Sequence, residues 1–136
     1  MAANIIRRII STPKAPKAVG PYSQAVQVNN TLYISGQIGF IPETMEIVSG
    51  GAVAETEQVL KNLGSILEAA GSSYDKVVKT TVLLKNISDY AAVNDVYAKY
   101  FSGSKPARAA FQVAALPKGA SVEIEAVAVV GDVTDI

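Results

Sequence analysis

Only two stretches of this chain repeat apolar residues every three to four positions, and that scarcity limits the fold more than any other feature. Across 52–70, Val53, Thr56, Leu60, Leu63, Leu67 and Ala70 fall on one face, with Glu57 and Lys61 spaced to pair at i, i+4 on the other. Gly71 follows as a natural C-cap. Ser88 can cap a second helix over 89–101, where Val93, Val96, Tyr97, Tyr100 and Phe101 form the apolar stripe. The remaining apolar segments read as strands: 5–10, 23–28, 31–35, 76–84, 107–116 and 121–130. Asn29-Asn30 marks a tight hairpin, and Pro117-Lys118-Gly119 a turn between the last two strands. The order is β, β, β, α, β, α, β, β. Two helices are too few and too unevenly placed for a doubly wound parallel sheet. The expected architecture is α+β: a single domain over 1–136 with one mixed sheet covered on one face by two helices. The other face then needs cover, which self-association would supply.

Composition agrees with that need. Apolar residues make up 49% of the chain and charged ones 18%, and the mean hydropathy of +0.26 is high for a small soluble monomer. Formal net charge is zero and no long basic run occurs, so strong electrostatic binding to nucleic acid or an anionic membrane is disfavoured. Histidine and cysteine are both absent. That excludes Ser-His-Asp and Cys-His nucleophiles, thiol redox chemistry and His- or Cys-ligated metals. Catalysis would fall to carboxylates, Arg, Lys, Tyr, hydroxyls, backbone and water, with no cofactor and no metal expected. No apolar run approaches the roughly 20 residues that span a bilayer. The lack of cysteine fits a cytoplasmic protein. Because Glu43 is the first acidic residue, the segment before it is basic and acid-poor like a transit peptide. A mitochondrial or nuclear location therefore stays open beside the strand reading of 5–10.

Arg108 is the sole charge in PARAAFQVAALP, residues 106–117. A dry guanidinium is costly, so it either faces solvent or meets something negative. On the last strand Glu123 and Glu125 share a side. If the last two strands pair as a hairpin, Arg108 and Glu123 approach at the sheet's end, and an inert rim salt bridge is the simpler reading of that spacing. In SGQIG, residues 35–39, Ser35 is followed by Gly36, which either permits close approach to a ligand or marks a bulge; nucleotide-loop spacing is missing. Tyr22 reads as a core aromatic or a pocket wall, and Asn94 as a rim polar group or a ligand contact.

Six stretches in register, GPYSQA (20–25), YISGQIG (33–39), VVKTTVLL (77–84), VNDVYAKYF (93–101), PARAAFQVAALPKG (106–119) and VEIEAVAV (122–129), resemble the RidA (YjgF/YER057c/UK114) family of reactive-intermediate imine deaminases, most closely its animal UK114-like members. The resemblance implies a chorismate-mutase-like α+β domain forming a homotrimer with ligand clefts between adjacent subunits. It implies a 2-iminobutanoate/2-iminopropanoate deaminase, which hydrolyses enamine and imine intermediates such as 2-aminoacrylate, shed by pyridoxal-phosphate enzymes, to 2-keto acids and ammonia. By the same resemblance Arg108 holds the substrate carboxylate and Glu123 positions the attacking water. Tyr22, Ser35, Gly36 and Asn94 are pocket residues, and the Ala110 backbone contacts the ligand. Some bacterial relatives carry cysteine where this chain has Ala110, so no thiol can act here. Two other functions compete: an endoribonuclease-type inhibitor of translation, and a non-catalytic chaperone-like or metabolite-sensing module. Zero net charge and the missing histidine count against RNA cleavage. An arginine kept for a transient ligand should look under-paired when the ligand is absent.

Overall fold

The computed structural model describes residues 3–136. Its strands are β1 (Arg7–Ile10), β2 (Ala25–Val28), β3 (Thr31–Gln37), β4 (Phe40–Ile41), β5 (Glu46–Ile47), β6 (Val77–Leu84), β7 (Ala107–Gln112) and β8 (Val122–Val129). Its helices are α1 (Gly51–Ala69) and α2 (Tyr90–Tyr100). Six strands form one mixed sheet in the order β1-β2-β3-β8-β6-β7, while β4 and β5 make a separate small hairpin. All neighbours in the large sheet are antiparallel except β6 and β7. The chain is thus α+β as its pattern implies, and the little β4–β5 hairpin lies between residues 35 and 52, where the sequence pattern assigns no element.

The alternation along β8 explains its central place. Val122, Ile124, Ala126 and Ala128 are buried against the helices, and Glu123, Glu125 and Val127 take the opposite side. From α1 the layer receives Val59, Leu60, Leu63, Ile66 and Leu67, all essentially inaccessible, each contributing about 1.5–3 kcal/mol by burial. Val53, expected on that face, sits at the helix start and is exposed. Gly71 does terminate α1: at φ +76° its N–H bonds to the Glu68 carbonyl while Ser72 N–H reaches the Leu67 carbonyl. That is a Schellman cap, which a residue without Cβ enters without strain.

Two local expectations fail. Glu57 does not pair with Lys61; it reaches across to α2, where Lys99 Nζ lies at 3.3 Å and the Tyr100 hydroxyl donates at 2.6 Å. Interhelical packing places α2 closer to that carboxylate than the next turn of its own helix. Nor does Ser88 cap α2. Residues 87–89 form a 3₁₀ turn that runs straight into the helix, with no side-chain cap.

The larger correction concerns the last two strands. β7 does not pair with β8. It lies parallel to β6, reached through α2 as a crossover, and β8 inserts between β3 and β6. The chain from 113 to 121 spans this gap and holds only a short 3₁₀ turn at Pro117–Gly119. In the resulting register Arg108 lies opposite Thr80, itself opposite Ala126, while Glu123 lies opposite Leu83. Arg108 and Glu123 are therefore three residues apart along the strands, about 10 Å, and two strands apart, about another 10 Å. They also face opposite ways, because Thr80 and Ala126 are buried under the helices and Glu123 is not. On the face away from the helices Tyr33 and Phe111 remain 52% and 48% exposed, apolar surface that another copy could cover.

Candidate active site

The sheet presents two separate clusters of the expected residues. The first surrounds Arg108, on edge strand β7. Its Nη1 donates to Asn94 Oδ1 at 2.8 Å and its Nη2 to the Tyr90 hydroxyl at 3.0 Å. The guanidinium carbon stands 4.9 Å from the Tyr97 ring centroid and 5.6 Å from that of Tyr90. These distances suit cation–π attraction. Tyr97 is fixed in turn by a buried 2.7 Å hydrogen bond with Thr80. Among the described residues no carboxylate forms a salt bridge with Arg108; the ion pair present is Lys99–Glu57. The cation is half-buried, oriented by neutral groups, and keeps N–H donors unspent. Ala110 follows two residues later on the same face of β7, where an edge strand leaves half of its backbone groups unpaired.

The second cluster is a cleft of about 430 Å³ whose lining includes Tyr22, Ser35, Gly36, Lys118, Glu123 and Glu125. Tyr22 is thus a pocket wall rather than a core aromatic, and about half of it is exposed. The Ser35 hydroxyl donates to the Ser23 carbonyl at 2.6 Å. Gly36 lies at the bulge in β3, between Ile34 and Gln37, and directly against Glu123. A Cβ added there would stand 2.8 Å from Glu123 Oε2 and 2.9 Å from its Cδ. The glycine makes room for the carboxylate. Burial, and then the charge of Glu125, raise the Glu123 pKa above the ordinary carboxyl value. A carboxylate adjusted in this direction is a better proton acceptor near neutral pH than a solvated one.

Several residues that build the site carry no local signal. Gln24 is buried and staples the 12–16 loop: Oε1 accepts from Thr12 N at 2.7 Å, and Nε2 donates to the Thr12 and Pro16 carbonyls at 3.0 and 2.8 Å. Buried Glu55, on α1, accepts from Ser121 N at 2.8 Å and so fixes the chain entering β8 just ahead of Glu123. Tyr90 and Tyr97 sit beside Asn94 at i−4 and i+3, a spacing that places all three on one side of α2. That spacing was the one available clue to the arginine's aromatic seat. Among the described residues no helix is long and apolar enough to cross a membrane, and no cluster of acidic side chains is arranged for a metal ion.

Known proteins agree with both the fold and the motifs. Residues 12–130 match the family model described as Endoribonuclease L-PSP. A mouse (Mus musculus) protein named 2-iminobutanoate/2-iminopropanoate deaminase is 61% identical over 129 residues, which is 95% of this chain and 96% of the relative. The crystal structure of RidA from the Antarctic bacterium Psychrobacter superposes with a TM-score of 0.88 at 55% identity, covering 90% of this chain and 99% of that one. The structure of TdcF from E. coli with bound serine gives a TM-score of 0.87 at 38% identity, covering 91% and 99%. The matched span takes in both helices and every strand except β1, and at such identities the chain belongs to the Endoribonuclease L-PSP family, the RidA/YjgF group whose motifs it carries.

Proposed function

We propose that this protein is a 2-iminobutanoate/2-iminopropanoate deaminase, the activity named for its mouse relative. The observation that carries the proposal is the Arg108 guanidinium, oriented by Asn94, Tyr90 and Tyr97 with no acidic partner among the described residues. A planar fork so held is matched to a carboxylate, which it can take with two parallel hydrogen bonds. Serine, bound by TdcF, is a small amino acid with such a carboxylate.

The chemistry asks for little beyond this. Water adds to the electrophilic carbon of the protonated imine; a C–O bond forms as the C=N π pair moves to nitrogen. Glu123 accepts the proton that the water gives up. The carbinolamine then collapses: the carboxyl returns its proton to nitrogen, and the C–N bond breaks with its pair leaving on ammonia. The hydroxyl becomes the keto oxygen by giving its proton to the freed carboxylate, from which ammonia carries it away as ammonium. Fixing the substrate carboxylate and directing one water are the main tasks, and neither requires histidine. An enamine such as 2-aminoacrylate enters this sequence after taking a proton at its terminal carbon.

Arg108 and Glu123 cannot serve one substrate within a single chain, since they lie on opposite faces two strands apart. We therefore infer an oligomer in which the Arg108 edge of one copy meets the Glu123 cleft of the next. The number we propose is three, as the family resemblance implies, with half-exposed Tyr33 and Phe111 as apolar surface to bury. To test the activity, 2-aminoacrylate is generated with a serine/threonine dehydratase and 2-keto acid formation is followed. Wild type should speed the reaction and Arg108→Ala should leave it at the rate without enzyme. Equal rates for wild type, variant and blank would overturn the assignment.

A further inference from the structure

Tyr90 is exposed, at the start of α2, and was not among the residues singled out by sequence pattern. Its hydroxyl nevertheless stands 3.0 Å from Arg108 Nη2, and the Nη2–H is the donor. The Asn94 side chain, one helical turn further on, receives Arg108 Nη1 on its Oδ1. With its oxygen accepting from Arg108, the phenol has its own O–H left to give. That proton has no other acceptor among the hydrogen bonds of the described residues, and the ring edge it leaves from is solvent-accessible.

We propose that Tyr90 is a second carboxylate-binding group: its O–H donates to the same substrate carboxylate that Arg108 grips, so that the anion is held by a guanidinium and a phenol together. The inference rests on the reading of Arg108 as the carboxylate anchor. Two donors of different geometry define the tilt of the carboxylate about the guanidinium plane, which a guanidinium alone leaves softer. The contact is made equally to substrate and product, so it acts on affinity more than on the chemical step. It also carries its own signature. The neighbouring Asn94 amide, and then the charge of Arg108, lower the Tyr90 pKa from its ordinary value. Once ionised, the phenolate has no proton to donate and repels a carboxylate. The charged or titratable groups facing it are Arg108 from β7 and, on its own helix, Tyr97, whose pKa burial raises, so Tyr97 titrates later.

The test is calorimetric binding of pyruvate and 2-oxobutanoate to wild type, Tyr90→Phe and Arg108→Ala, at neutral pH and along an alkaline series, with steady-state kinetics beside it. Phenylalanine keeps the ring, its contact with the guanidinium and the helix. Tyr90→Phe should weaken binding roughly tenfold, with the loss falling on KM rather than kcat, and should remove the alkaline decline in affinity that wild type shows. If Tyr90→Phe matches wild type in affinity and alkaline profile while Arg108→Ala loses binding, the role of Tyr90 is overturned and the arginine anchor stands. If Arg108→Ala binds both keto acids as well as wild type, the anchor itself fails, and Tyr90 with it.

Discussion

The Arg108 seat and the Glu123 cleft place opposite charges on one sheet, and they are built by opposite means. Arg108 is gripped by side chains from a helix: an amide, a phenol and two aromatic faces, all neutral, so its charge is oriented without being cancelled. Glu123 is given space instead. It leans on Gly36, in a bulge, with burial and Glu125 both working against its charge. An anchor must keep one charge and one direction throughout a reaction, whereas an acid–base group must change its protonation state. The helix supplies rigidity where charge stays constant, and the bulged strand supplies clearance where a proton moves.

That contrast is easiest to break at its cationic side. Removing the fork in Arg108→Ala deletes charge-assisted hydrogen bonds worth about 1.5–3 kcal/mol each, so kcat/KM should fall about 10²- to 10⁴-fold in the dehydratase-coupled assay. Arg108→Lys should recover little, because an ammonium lacks the planar pair of donors.

Glu123→Gln should lower kcat about 10²- to 10³-fold and remove the acid limb of the pH–rate profile. It should also reveal a stability trade. A carboxyl whose folded pKa is raised binds more protons folded than unfolded, between its ordinary and its raised value. Stability from this group is thus lost as pH rises through that window. The glutamine variant should melt higher than wild type at neutral pH, and the difference should vanish below the ordinary carboxyl range; a lower melting temperature at neutral pH would contradict the burial argument.

Gly36→Ala probes the clearance itself. Its new Cβ displaces the end of a flexible side chain rather than backbone, so the melting temperature should move by about 2 °C or less. Displacing the carboxylate by the better part of an ångström should nevertheless cost kcat roughly 10- to 100-fold. The smallest effect comes from recombination. When Arg108→Ala and Glu123→Gln chains, each inactive, are unfolded and refolded together, roughly one quarter of the clefts should join a good arginine from one copy to a good glutamate from another. Recovery of about that fraction of wild-type activity supports the shared cleft, and no recovery from a properly assembled mixture refutes it.

Much of this was legible before any coordinates. The helix over 52–70 and its glycine stop follow from a strong period and a residue free to adopt positive φ. The two-helix layer and the uncovered face follow from counting. Arg108 is met by neutral partners and, among the described residues, by no carboxylate. Gln24, Glu55 and Tyr90 are not legible, because each acts through partners 8 to 66 residues away.

Side-chain chemistry and local periodicity determined which segments are helix and strand, and which few charged groups were left for chemistry in a chain with no histidine or cysteine. Only the tertiary structure decided that β8 runs between β3 and β6 and that Arg108 and Glu123 face opposite ways. A strand's alternation records which of its sides is dry, and β7 and β8 both have that record. It says nothing about which strand lies alongside, since backbone hydrogen bonds are the same for every neighbour, and the choice among neighbours belongs to the packing of the whole sheet under its helices.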